Sequence, residues 1–319
     1  MHAMSQASSL PALLTTDILG LPKFIQGKVR DVYDLGDALL VVATDRISAF
    51  DVILPTGIPG KGRVLTALSE FWFEKTAGII PNHFLSGDMD VIGERLHSAG
   101  VSVTPDLISM LEGRTQLVRK CAALPLECVV RGYLDGSAWK EYQTLFGHGG
   151  EVVLYGIPVP VGLRQGEQFP SPLFTPTTKA HTGHDVNVSF SEAAALVGAD
   201  TAAKLSEISI ALYSFARAYA EGRGIIIADT KFEFGTLNGQ LILIDEALTP
   251  DSSRFWEASL YKPGKAQASF DKQFVRDYLE TLGWDKTYPG PALPAEIAEK
   301  TAAKYFDAYK RLTGEDLPR

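Results

Sequence analysis

Residues 225–228 read IIIA, an apolar run suited to a fully buried strand, and the chain then runs straight into Asp229, Thr230, Lys231, Phe232 and Glu233. Successive side chains of a strand point to opposite faces. A strand over 225–234 therefore sets Asp229, Lys231 and Glu233 on one face and Phe232 and Phe234 on the other. A half-exposed strand end explains the alternation by itself, with Lys231 limiting the repulsion between its two acidic neighbours. A second apolar strand, over 241–246, also ends in acid.

Asp245 lies twelve residues after Glu233, and the turn at Asn238-Gly239 decides whether they share a face. A plain two-residue turn pairs Leu237 with Gln240 and sets Asp245 opposite Phe232, on the wrong face. A three-residue loop with Gly239 left-handed, or a bulge, restores the match. Two carboxylates on adjacent antiparallel strands would then suit Mg2+ bridging nucleotide phosphates. Otherwise they are solvated strand ends.

Four further clusters stand at ends of apolar strands. GKVRDVY (27–33) carries Lys28 and Arg30 between two strands. It lacks the spacing of a Walker A loop, as does GIPGKGR at 57–63, but a basic strand–turn–strand lid can cover a triphosphate. VVRGYLDGSAW places Arg131 at a strand end, with Ser137 capping a helix, where a guanidinium and free helical N–H groups suit an anion. TPDSSRF (249–255) repeats that logic with Ser252, Ser253 and Arg254, and ATDRISAFD (43–51) gathers Asp45, Arg46, Ser48 and Asp51. Each is compatible with a salt-bridged turn; their number argues for chemistry.

Other classes are disfavoured. A net charge of −8 and a pI of about 5.3 argue against bulk nucleic-acid or anionic-membrane binding. Two cysteines, Cys121 and Cys128, fit neither a disulfide framework nor a zinc site and read as small buried residues. His181 and His184 lack a third ligand, and no Gly-x-Ser-x-Gly elbow supports a covalent hydrolase. No apolar run approaches the roughly 18 residues of a membrane span, and the N-terminal residues lack a signal-peptide pattern, so a cytoplasmic protein is expected.

The remaining periodicity predicts helices over 63–76, from Ser137, over 201–221 with Gly222 at its end, and near 270–282 and 294–312. Residues 117–134 read as two strands bent at Pro125, and 147–187, rich in Gly, Pro and Thr, read as a functional loop. Hairpins mixed with helices favour an α+β fold.

The stretches GKVRDVY, ATDRISAFDV, PLECVVRGYLDGSAWKEY, FTPTTKAHTGHD, IIIADTKFEFG and IDEALTPDSSRFW, in this order over residues 27–256, resemble the SAICAR synthetase family (phosphoribosylaminoimidazole-succinocarboxamide synthase). GYLDGSAW and the 147–187 stretch resemble its longer form, found in fungi and some bacteria. The resemblance implies a two-lobed architecture related to ATP-grasp and kinase-like folds, with antiparallel sheets and C-terminal helices. Boundaries would fall at 1–120 for a β-rich lobe with the phosphate lid, 121–258 for the ATP- and substrate-binding lobe, and 259–319 for the helical segment.

It also implies a reaction: ATP activates the carboxylate of the imidazole ribotide CAIR, and the amine of L-aspartate captures it, giving SAICAR, ADP and phosphate. By the same resemblance, Glu233 and Asp245 bind Mg2+, and Gly27, Lys28, Val29 and Arg30 cover the phosphates. Lys120, Ala123 and Glu127 lie along the adenine at the hinge. Arg131, Ser137 and Arg254 meet the ribotide's phosphate and carboxylate. Asp229 and Lys231 hold its amino group and reacting carboxylate, and Asp51, Lys179 and Asp185 approach the same cleft. Rival readings are a ligase acting on another acid, a kinase-like phosphotransferase and a non-catalytic nucleotide binder; oligomeric state is left open.

Overall fold

The computed structural model describes residues 11–147, 150–179, 186–270 and 272–317. Two antiparallel sheets organise them. The smaller has five strands in the order Lys23–Gln26, Arg30–Asp34, Ala38–Ala43, Thr115–Arg119 and Phe84–Ser86. The larger runs Gln168–Phe174, Ala122–Tyr133, Ile225–Leu237 and Gln240–Ile244, with Thr177–Thr178 and Ser253–Glu257 paired at its margins. With helices packed against these sheets, the α+β class expected from sequence holds. No helix among the described residues is long and apolar enough to cross a membrane.

One segment feeds both sheets. The strand Thr115–Arg119 lies in the small sheet between Ala38–Ala43 and Phe84–Ser86, and after Lys120 and Cys121 the strand Ala122–Tyr133 enters the large one. The break predicted at Pro125 therefore lies upstream. Pro125 sits inside the strand, where its missing N–H falls at a register irregularity, between the pairs Glu127 with Glu233 and Ala123 with Gly235. Cys128 is buried and Cys121 half-buried, both as free thiols, and burial pushes the Cys128 thiol up to about 12.

Helices Lys61–Lys75, Ala199–Glu221 and Ala295–Thr313 cover one face of the large sheet, in a core that includes Trp72, Tyr213, Phe232, Phe234, Phe255 and Tyr305. Gly222 follows the helix Ala199–Glu221 in right-handed geometry, and the left-handed residue is Gly224. The C-terminal helices Gln273–Glu280 and Ala295–Thr313 also pack on this chain, where Val275, Leu279, Ala298 and Ala302 meet Ile47, Leu54 and Ile58. The described residues of the 147–187 stretch include four strands, Val152–Leu154, Ile157–Val159, Gln168–Phe174 and Thr177–Thr178, where a loop was expected. The hairpin Val152–Leu154 with Ile157–Val159 shares a core with the helix Gly136–Gly147.

The central strand Ile225–Leu237 changes parity. Ile225 and Ile227 lie in the main core, yet so do Phe232 and Phe234. The switch falls where Ile227 pairs with Phe255 but Asp229 with Arg254, so two residues oppose one. This bulge turns Asp229, Lys231 and Glu233 away from the core. Burying each phenylalanine is worth roughly 1.5–3 kcal/mol, which fixes the register beyond it.

The following hairpin takes the plain two-residue turn. Leu237 pairs with Gln240 across Asn238 and Gly239, both left-handed. Glu233 then faces Ile244, and the sequence-level expectation that a longer loop or bulge realigns Asp245 is corrected. The realignment occurs at the far end of the strand. The strand stops at Ile244, and Asp245 is itself left-handed at φ 64°, which redirects its side chain toward Glu233.

Arg46 ties the basic turn to the small sheet. Its guanidinium donates to Asp31 at 2.7 Å and to the carbonyls of Gly27, Lys28 and Leu14 at 3.0, 3.2 and 2.8 Å. Burial would raise the fully buried Asp31 carboxyl, but bonds from Arg46 and Thr16 outweigh it and hold the group below its ordinary 3.8. Arg46→Met should destabilise the protein by about 1–3 kcal/mol in denaturant titrations, because it leaves the buried Asp31 carboxylate with only Lys23 at 3.4 Å and Thr16 at 2.6 Å. The stabilisation from Asp31 is present above pH 3.8 and lost as pH falls through its lower folded value. The variant should therefore lose the share of acid destabilisation that Asp31 contributes, while that of other depressed carboxyls such as Asp251 remains.

Candidate active site

The redirected face of the central strand opens into a cleft of about 180 Å³, lined among others by Arg131, Ser137, Asp229, Lys231 and Arg254. Asp229 and Arg131 are direct cross-strand partners, as are Asp229 and Arg254 on the other side. Asp229 Oδ2 thus accepts from both guanidiniums, from Arg131 at 3.3 Å and from Arg254 more closely. Arg131 also donates to Thr175 Oγ1 at 2.9 Å and to Ser137 Oγ at 3.3 Å. Burial disfavours its charge and Asp229 opposes that, leaving Arg131 below the usual guanidinium value. Ser137 is not the helix cap expected from sequence; it lies in the first turn of Gly136–Gly147. The left-handed Gly136 leaves room for Arg254, because a Cβ there would collide with its guanidinium.

Further along the strand the charges alternate sign. Lys231 donates to Glu127, whose other oxygen accepts from Thr177 Oγ1 at 3.2 Å. Glu233 pairs with Lys179. Asp245 accepts from Arg30 at 2.7 Å, and Glu246 pairs with the same guanidinium at 3.0 Å. Burial and then Asp245 raise the Glu233 carboxyl above its ordinary value. Asp245 is held low despite burial, because Arg30, Lys231 and Lys179 oppose it. Burial would lower Lys231, but Glu127, Glu233 and Asp245 raise it. His83 Nε2 lies 3.1 Å from the Asp245 carbonyl, and burial lowers this imidazole to about 4, so it is neutral near pH 7.

The basic turn reaches this cluster through Arg30, with Gly27 N–H bonded to the Arg30 carbonyl at 2.7 Å and Val29 held by Thr44. Lys28 points elsewhere, into an exposed pair with Asp51, and neither lines the cleft. Asp51 and Phe50 are consecutive left-handed residues. Lys120 pairs with Asp34 in the small sheet at 2.6 Å, and Ala123 stands opposite Gly235 near the junction of the sheets. Asp185, with His181 and His184, lies outside the described residues.

A family model described as SAICAR synthetase matches residues 23–291. The synthase of Geotalea uraniireducens is 53% identical over 305 residues, covering 95% of this chain and 98% of its own. The chain belongs to the SAICAR synthetase family. It is accordingly a ligase of purine biosynthesis. The Geobacter sulfurreducens synthase is 52% identical over 304 residues, covering 95% of this chain and 98% of the other. A solved SAICAR synthase from Saccharomyces cerevisiae, complexed with SAICAR, superposes with a TM-score of 0.86 at 42% identity, covering 97% of this chain and 100% of that one. A type-2 SAICAR synthetase in complex with ADP gives 0.64 at 26% identity, covering 92% and 99%.

Several residues here escaped the sequence reading. Glu246 and Asp251 stood inside quoted motifs without a role, and Lys61 belonged to a stretch set aside as a failed phosphate loop. Lys272 and Arg276 line the cleft from a helix without any motif. Inorganic phosphate should bind this cationic cleft and stabilise the protein; at ten times its Kd the gain is about 1.4 kcal/mol, visible as a rise in Tm. Arg254→Ala should abolish that rise in a thermal-shift titration.

Proposed function

We propose that the cleft joins the carboxylate of CAIR to the amine of L-aspartate, with ATP as phosphoryl donor and Mg2+ at the Glu233–Asp245 pair. The observation that carries this reading is the convergence of Arg131, Ser137 and Arg254 on one cleft whose strand continues, two residues per step, to Lys231 and Glu233. Such a cleft suits a substrate with a phosphate at one end and a carboxylate to be activated nearer the other. The solved relatives with SAICAR and with ADP bear on the same chemistry.

The donor set fits Mg2+. Asp245 raises the proton affinity of Glu233, and Mg2+ commonly takes one or two protein carboxylates with waters and phosphate oxygens. No group of three or more His, Cys, Asp or Glu among the described residues is arranged to hold a metal, so phosphates would complete the shell. When bound, the ion neutralises charge developing on the transferred phosphoryl group.

The chain's own groups do the rest. Arg131, Ser137 and Arg254 hold the ribotide phosphate, Asp229 accepts from the imidazole amino group, and Lys231 steers the reacting carboxylate. That carboxylate is a poor electrophile until its oxygen attacks the γ-phosphorus and ADP departs. The aspartate amine then attacks the carbonyl carbon, phosphate leaves, and the amide forms. Gly27, Lys28, Val29 and Arg30 cover the triphosphate, and Lys120, Ala123 and Glu127 flank the adenine. Asp51, Lys179 and Asp185 border the substrates. The proposal includes lobes at 1–120 and 121–258, a helical segment at 259–319, and work in the cytoplasm.

Release of ADP should require Mg-ATP, CAIR and L-aspartate together, and omitting any one should abolish it. ATP turnover without CAIR or aspartate would discard the reading. Glu233→Gln should lower kcat by roughly 10²–10³-fold with an unchanged thermal melt, a loss typical of removing charge stabilisation at a transferring group.

A further inference from the structure

Five cations line the cleft, Arg131, Lys231, Arg254, Lys272 and Arg276, against two acids, Asp229 and Asp251. Asp229 is shared by Arg131 and Arg254, and Lys231 is matched by Glu127 from outside. Asp251 Oδ2 is shared by the fully buried Lys61 at 2.7 Å and by Lys272 at 3.2 Å, while its Oδ1 accepts from Tyr305 at 2.6 Å. Burial would raise the Asp251 carboxyl, but Lys272, Lys61 and Tyr305 hold it far below the usual range. It is a fixed anion, yet one charge divided between two ammonium groups.

Arg276 has no ion-pair partner among the described residues. It stands one helical turn beyond Lys272, its N–H bonded to the Lys272 carbonyl at 3.0 Å, so both side chains leave one face of the helix Gln273–Glu280. A half-buried guanidinium that faces the cleft and pairs with no carboxylate among the described residues suits an anionic ligand group. The proposed reaction, on which this step rests, already gives the ribotide phosphate to Arg131 and Arg254, its carboxylate to Lys231, and the triphosphate to the basic turn. The substrate anions left over are the two carboxylates of the amine acceptor.

We propose that Arg276, with Lys272 beside it, is the specificity-determining wall that holds the carboxylates of L-aspartate and selects a dicarboxylate over other amines. Asp251, clamped by Lys61 and Tyr305, is the positioning residue that aims Lys272 into the cleft. The C-terminal helices thereby become part of the active site.

The test is steady-state kinetics on the full chain, titrating L-aspartate, CAIR and ATP separately. Arg276→Gln should raise the KM for L-aspartate on the order of 10–100-fold, the loss of one charge-assisted contact, and leave the other two KM values within about twofold. Arg276→Lys should recover part of that loss. Because Arg276 has no ion-pair partner among the described residues, both variants should melt with the wild type, whereas Lys272→Gln should raise the same KM and also lower Tm. An unchanged KM for L-aspartate in Arg276→Gln, or a rise confined to CAIR, would overturn the inference. A wild-type enzyme indifferent to L-aspartate would instead remove the reaction beneath it.

Discussion

Charge compensation on one face of a buried strand is the constraint from which the rest of this structure follows. Asp229, Lys231 and Glu233 occupy alternate positions of Ile225–Leu237, whose opposite face packs Phe232 and Phe234 into the core. Unpaired charges there would cost several kcal/mol each. Each is met from outside the strand: Asp229 by Arg131 and Arg254, Lys231 by Glu127, and Glu233 by Lys179. The long neighbouring strand Ala122–Tyr133 supplies both Arg131 and Glu127, which explains why so much of the chain must keep register with one strand.

The same compensation joins the two sheets. Arg30 leaves the small sheet to bind Asp245 and Glu246 beyond the end of the hairpin, and His83 bonds the Asp245 carbonyl from a segment that also bridges to Leu243. Burial disfavours the Arg30 charge, but Asp245, Glu246, Glu233 and Asp251 keep it strongly protonated. Arg30 and Lys179 thus sit on the two carboxylates that the proposed reaction assigns to a metal. Binding of Mg-nucleotide would exchange protein cations for a metal ion and free both side chains to meet phosphate oxygens, so that these ion pairs foreshadow the loaded site.

Much of this was legible in the sequence because alternation and turn chemistry are local. IIIADTKFE announced both faces of the central strand, and Asn238-Gly239 announced the turn. Two features that re-aim side chains were not legible: the bulge between Ile227 and Asp229, and the left-handed backbone of Asp245. A bulge is set by pairing with Ser253–Glu257, and nothing in a single strand reports it. Pro125 misled because a proline usually interrupts a sheet, whereas here a register irregularity accommodates it. Lys61, Lys272 and Arg276 were invisible for another reason. Lys272 and Arg276 reach the cleft by tertiary packing of the C-terminal helices on residues 47–58, and Lys61 meets Asp251 from the helix Lys61–Lys75; no local motif records either contact.

The most direct test is a crystal structure with Mg2+, ADP and the ribotide bound. The account predicts Glu233 and Asp245 both at about 2.0–2.1 Å from one Mg2+, with Lys179 and Arg30 released toward phosphate oxygens. A metal bound away from that pair, with Glu233 still on Lys179 and Asp245 still on Arg30, would contradict it.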